Sequence, residues 1–197
     1  YLGIQGKAET KLRYKTYSIS PEGNIIWKNE GLQPIIKPIR GNIDEFGQYL
    51  IAKRVPSLVD RGIETGWTKE QAQQIASEME EKFPIFKKVA PKVTQYAHDL
   101  LDDLVEAGRV SEELAAKLKN TDNFYVPFQR VIEDVEKYGY VPSNARVFSK
   151  TPSPIYRMVG SKREIINPLE SLVRATYITT NIAERNTVAR SIVNLRK

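Results

Sequence analysis

From Val89 onward the apolar residues run Val89, Val93, Tyr96, Ala97, Leu100, Leu101, Leu104 and Val105. Steps of three and four put them on one face of a helix, and that face must be buried against something else. Gly108 falls just past the stripe, where a helix C-cap needs a residue that tolerates positive φ. Ser111 reads as a fresh N-cap, with Glu112 and Glu113 in a first turn whose dipole favours negative charge. Leu114, Ala115 and Leu118 give this second helix a short apolar face. A connection this short predicts an antiparallel hairpin. In the aromatic segment that follows, Pro127 holds Val126 extended and excludes helix. Phe124, Tyr125 and Phe128 are costly to leave in water and are expected to pack back onto the hairpin.

The flanking stretches supply further elements. Lys11 to Ile19 is rich in strand formers, Pro21 to Asn24 carries turn chemistry, and Ile25-Ile26-Trp27 reads as a second strand. A two-stranded ribbon is marginal alone and must pack on something. Tyr17 and Trp27 are expected to cover the domain's own core, ahead of any docking role. Pro34 and Pro38 mark a linker. Asn42 with Glu45, and Thr68 with Gln71, have capping-box spacing. The first opens a helix with Ile43, Phe46, Leu50, Leu58 and Val59, which Pro56 is expected to kink or shift. The second opens one with Ala72, Ile75, Ala76, Met79 and Phe83, ended by Pro84. Between them, Asp60 to Gly66 lacks the spacing of a phosphate-binding loop. Pro91 either starts the main helix or kinks a longer one. Val131 to Tyr138 reads as a short amphipathic helix, and Gly139 to Pro154 as an irregular loop.

Asn167 and Pro168, a favoured N-cap and N1 pair, open a last helix of about thirty residues. Thr179, Thr180 and Asn181 interrupt its apolar face. The expected fold is therefore mainly α: a helical hairpin core with a long C-terminal helix and a small N-terminal β-ribbon. Its divisions are ribbon and linker over 1–40, helical core with hairpin and aromatic segment over 41–160, and the long helix over 161–197.

Without cysteine there is neither a disulfide framework nor a cysteine zinc site, which is compatible with a reducing compartment. No apolar run reaches the ~18–20 residues of a transmembrane helix, and no signal peptide opens the chain. The first residue, Tyr1, is not Met, and Lys197 lies inside a helical pattern. Both fit a piece of a longer protein, and equally a trimmed or processed chain. The net charge of +6 is uneven: residues 67–122 carry 8 basic and 11 acidic side chains, residues 123–197 carry 12 and 6. A basic last third hints at an anionic partner.

Candidate chemistry is sparse. His98 is the sole histidine, and no nucleophile-elbow motif accompanies it. A place at the core edge or in a surface pair is the favoured reading. Asp99, Asp102, Asp103 and Glu106 form an acidic edge at helical spacing. Such carboxylates can share Mg²⁺ or Ca²⁺, but no further oxygen ligands are signalled. Pairing with Lys87, Lys88 or Lys92, or solvation, is favoured, so no metal, cofactor or catalytic residue is assigned. Arg174, Arg185 and Arg196 are spaced by eleven and align on a continuous helix, with Arg190 elsewhere around it. They form either a phosphate-tracking stripe or the solvated back of a core helix. Ile182, Ala189, Ile192 and Val193 are the residues expected to be buried against a partner: a second copy, or other parts of a parent protein.

A resemblance rests on three stretches: "GQYLIAKRVPSLVDRGIETG" (Gly47–Gly66), "HDLLDDLVEAGRVSEELAAKLKNTDNFYVPFQR" (His98–Arg130) and "GSKREIINPLESLVRATYITTNIAERNTVAR" (Gly160–Arg190). A helical hairpin leading into a "YVPF"-like segment resembles the large polyvalent protein-associated domains of phages and mobile elements. That resemblance covers roughly half the chain and brings no catalytic residues with it. It implies a non-enzymatic structural or interaction module within a very large multidomain protein, sited in a virion or host cytoplasm. Two alternatives stand beside it: a nucleic-acid-binding module using the basic last third, possible DNA contact included, and an accessory region of an enzyme whose catalytic domain lies elsewhere.

Overall fold

The computed structural model describes residues 2–20, 22–62, 65–121 and 167–194, without the side chains of residues 2, 121, 190, 191, 193 and 194. The molecule is mainly helical, with a small antiparallel N-terminal ribbon and a C-terminal helix. Helix α1 (Leu2–Arg13) leads into strands β1 (Lys15–Ile19) and β2 (Ile25–Glu30). A short α2 (Leu32–Ile36) and a 3₁₀ helix (Lys37–Asn42) run into α3 (Ile43–Asp60). Then come α4 (Lys69–Lys82), α5 (Phe86–Glu106), α6 (Glu112–Thr121) and α7 (Pro168–Asn194).

Helix α5 is the axis of the body. Val89, Val93, Tyr96, Ala97, Leu100, Leu101 and Leu104 are all buried, as the stripe requires. Each large one contributes about 1.5–3 kcal/mol by leaving water. The helix ends where Gly108 adopts φ 72°. Gly108 N–H donates to Val105 carbonyl at 2.8 Å, and Arg109 N–H to Leu104 carbonyl at 2.8 Å, the two bonds of a Schellman cap. Ser111 Oγ then accepts from Leu114 N–H at 3.2 Å, and α6 folds back so that Lys119 meets Asp102. Ala115 is buried and Leu118 packs at the core's edge, while Leu114 is exposed.

Local signals fare unevenly elsewhere. The Thr68–Gln71 capping box is complete, both reciprocal bonds being formed. Asn42 stands at the N-cap of α3 without a side-chain bond, so the Asn42–Glu45 box is a matter of spacing only. Helices α3 and α5 both run through their prolines, Pro56 and Pro91. Asn167 Oδ1 accepts from Leu169 N–H at 2.9 Å, the expected cap of α7.

Two expectations need correction. Residues 11–13 belong to helix α1, and the strand begins only at Lys15. Ala8 and Leu12 of α1 are buried, so tertiary packing supplies what a weakly patterned, glycine-containing segment lacks. The linker read from Pro34 and Pro38 is helical, and Leu32, Ile35, Ile36 and Ile39 are core residues. Proline is compatible with the first turn of a helix, where its missing N–H has no intrahelical partner anyway. Gly31, at this junction, sits so tightly against α1 that a Cβ would lie 2.6 Å from the Lys11 carbonyl oxygen.

Residues of all three expected divisions join one core: Leu12 and Ile36, Phe46 and Leu100, and Leu169 and Ile178. Within it Phe86 packs on Phe46, Tyr49 and Phe83, with ring centroids 5.0, 5.5 and 4.9 Å away. A smaller cluster of Ile51, Val55 and Ala72 joins α3 to α4. The aromatic segment with Phe124, Tyr125 and Phe128, the helix expected over Val131–Tyr138 and the loop over Gly139–Pro154 lie outside the described residues.

Candidate functional site

The acidic edge of α5 turns inward. Asp99 and Asp103 are buried, three and seven residues beyond the fully buried Tyr96 and so on its side of the helix. Asp99 accepts from Thr16 Oγ1, from Asn29 Nδ2 at 3.0 Å and from Gln95 Nε2 at 3.0 Å. Asp103 accepts from Lys11 Nζ at 2.5 Å, and both side chains of that pair are almost fully covered. Asp102 pairs with Lys119 at 2.5 Å and Glu106 with Lys28 at 2.8 Å. The expected partners are thus corrected: Lys87 pairs with Glu80 and Lys92 with Glu30. The lysines that meet α5 come from α1, β2 and α6, because α5 docks its acidic edge against those elements.

The cluster is electrostatically tense. Burial pushes the Asp103 carboxyl up to about 6 despite Lys11 beside it. Burial, reinforced by the negative charges of Glu184 and Asp103, pushes the Tyr17 phenol up to about 12. Lys11 Nζ also lies 5.2 Å from the Tyr17 ring centroid. Half-buried His98 is driven down, first by burial and then by Lys119. Among the described residues no three His, Asp or Glu side chains gather in a metal-holding group. The cluster functions as a polar lock that joins α1 and the ribbon to α5.

Helix α7 divides into two halves. Leu169, Leu172, Val173, Ala175, Thr176, Ile178, Thr179 and Thr180 are buried, and the helix packs on α5 and α1. The polar residues do not keep it out of the core. Thr176 and Thr179 hydroxyls donate to the Leu172 and Ala175 carbonyls at 2.9 Å, and Thr176 Oγ1 also meets Tyr96 Oη at 2.8 Å. Among the described residues, Arg174 Nε, Thr180 Oγ1 and Asn181 Oδ1 on this helix are buried without a hydrogen-bond partner. Ile182 packs at the core's edge. Asn186 Nδ2 donates to the Ala107 carbonyl at 2.5 Å, tying the helix to the hairpin. Beyond it Val188 is 56% exposed, Ile192 is 53% exposed, and Ala189 is exposed.

The arginine stripe is not uniform. Arg174 donates from Nη2 to Glu170 at 2.9 Å and is partly covered, whereas Arg185 is exposed. The side chains of Arg190 and Val193, and all of Arg196, lie outside the described residues.

A second exposed surface lies on the ribbon. Tyr17 is buried and meets Trp27 edge-on with centroids 5.7 Å apart, as expected of a core cover. Trp27 itself is 51% exposed, Ile25 55% and Ile26 51%. Sequence periodicity does not reveal this, since a three-residue apolar run looks the same buried or bare. Searches of family models, of curated proteins and of solved structures find no match to this chain.

Proposed function

We propose that the chain is a non-enzymatic structural and interaction module of a large phage or mobile-element protein. The observation that carries this reading is the division of α7, whose first half is core and whose last turns leave Val188, Ala189 and Ile192 in water. An apolar helix face without cover is the usual mark of a helix that meets another. The resemblance of the three sequence stretches supplies the context, with a virion or host-cytoplasm location. Among the described residues no helix is long and apolar enough to cross a membrane. The expected contacts are Ala189, Ile192 and Val193, against the parent protein or another copy; Ile182, expected with them, packs at the edge of the chain's own core instead.

The test pairs the chain with flanking segments of its parent protein, produced separately. Wild type is expected to bind one of them. Val188→Asp with Ile192→Asp should weaken that binding at least tenfold without lowering the thermal midpoint, since both side chains lie largely in water. No binding to any flanking segment and no self-association of the chain, or binding indifferent to the two substitutions, would overturn the reading. DNA binding with a steep salt slope, flattened by replacing Arg174, Arg185, Arg190 and Arg196 with Gln, would instead favour the nucleic-acid reading. A catalytic domain encoded beside this region would favour the accessory one.

A further inference from the structure

Among the described residues strand β2 has one strand neighbour, β1, and none along its other edge. Helix α5 meets the strand through side chains at Lys28, Asn29 and Glu30, which bond Glu106, Asp99 and Lys92. Ile25, Ile26 and Trp27 are half-exposed, and among the described residues no charge, proline or helix blunts the edge at these three positions. The ladder fixes which backbone groups point outward. Ser20 N–H donates to the Asn24 carbonyl at 2.9 Å, marking 20 and 24 as a hydrogen-bonded pair. The register continues Ile19 with Ile25, Ser18 with Ile26 and Tyr17 with Trp27. Hydrogen-bonded and non-bonded pairs alternate, so Ile26 bonds inward, and Ile25 and Trp27 direct their N–H and C=O groups to the open edge.

We propose that the open edge of β2 pairs antiparallel with the β2 of a second copy of this chain, Ile26 lying opposite the partner's Ile26 on the two-fold axis. In that register Ile25 faces the partner's Trp27, and Trp27 faces the partner's Ile25. Those are the outward-bonding residues, so four backbone hydrogen bonds form between the copies. Two cross-strand rows then run through a four-stranded sheet: Tyr17, Trp27, the partner's Ile25 and the partner's Ile19, and the same row reversed. Aromatic and β-branched residues side by side are the favoured cross-strand neighbours. A second copy is the occupant because apolar meets apolar at each of these positions, as an isologous contact requires, and a marginal hairpin gains two strands. This inference stands on the ribbon alone and is independent of the α7 reading.

The experiment uses the full chain, measured by sedimentation equilibrium over a wide concentration range. Wild type should dimerise. Ile26→Lys sets two like charges face to face and should weaken the dimer at least tenfold with an unchanged circular dichroism spectrum. Because the chain has no cysteine, Ile26→Cys adds a single thiol. A non-bonded antiparallel pair brings the two sulfurs within disulfide reach. Ile26→Cys should therefore cross-link two copies on mild oxidation, and Trp27→Cys should not. A monomeric wild type overturns the proposal. So does a dimer unaffected by Ile26→Lys, or one lost only on Val188→Asp with Ile192→Asp, which would place the contact on α7.

Discussion

The buried pair of Lys11 and Asp103 shows how one contact can join two elements yet cost stability. Asp103 titrates near 6 when folded against 3.8 when free, so the folded chain holds its proton more firmly than the unfolded chain does. The sign follows: this group's contribution to stability is full below about pH 4 and is lost as pH rises through about 6. Lys11 and Lys28 on one side, and Glu106 on the other, set its field. Replacing the pair with Lys11→Met and Asp103→Leu is expected to leave stability at pH 7 unchanged or raise it by about 1–4 kcal/mol. Asp103→Leu alone should cost about 3–5 kcal/mol, because it strands the Lys11 ammonium away from water. Urea unfolding of both variants at pH 7 and pH 4.5 checks this, and the pH slope due to Asp103 should vanish in the double variant. A double variant weaker than the single one would contradict the account.

At the scale of elements, α4 isolates a local signal. Thr68 is exposed, and its hydroxyl serves the first turn of α4, accepting from Gln71 N–H and bonding the Glu70 carboxylate. Thr68→Ala should lower stability by about 1 kcal/mol, read as a fall in thermal midpoint. An unchanged midpoint would mean that tertiary contacts alone hold the end of α4. The same logic separates what was legible in the sequence from what was not. The stripe of α5, the Gly108 cap, the Thr68 box and the Asn167 cap are written within a few residues of where they act. The sequence pattern does not show that Lys11 to Arg13 are helical or that the Pro34–Pro38 stretch is core, because contacts distant in sequence hold both and proline is tolerated in a first helical turn. Burial of Asp99 and Asp103 is hidden for the same reason: their partners Thr16 and Lys11 lie 83 and 92 residues away. The period itself held a clue, since both aspartates share Tyr96's side of the helix. Exposure of Ile25, Ile26 and Trp27 left no sequence trace at all.

Over the whole molecule, α7 returns the chain to its own beginning. Tyr177 bonds Glu9 and Lys7 pairs with Glu184 at 2.5 Å, so the last element closes over the first while packing on α5. Thr179 and Thr180 interrupt its apolar face without keeping the first half out of the core. What is left for a partner is the stretch past Asn186, and the interaction reading stands or falls with that division. Native-state hydrogen exchange along α7 tests it most directly. Amides of residues 172–180 should be as protected as those of Leu100 to Leu104, and amides beyond Asn186 should exchange orders of magnitude faster in the isolated chain at low concentration. Uniform protection to Asn194, or fast exchange along the whole helix, would contradict the account.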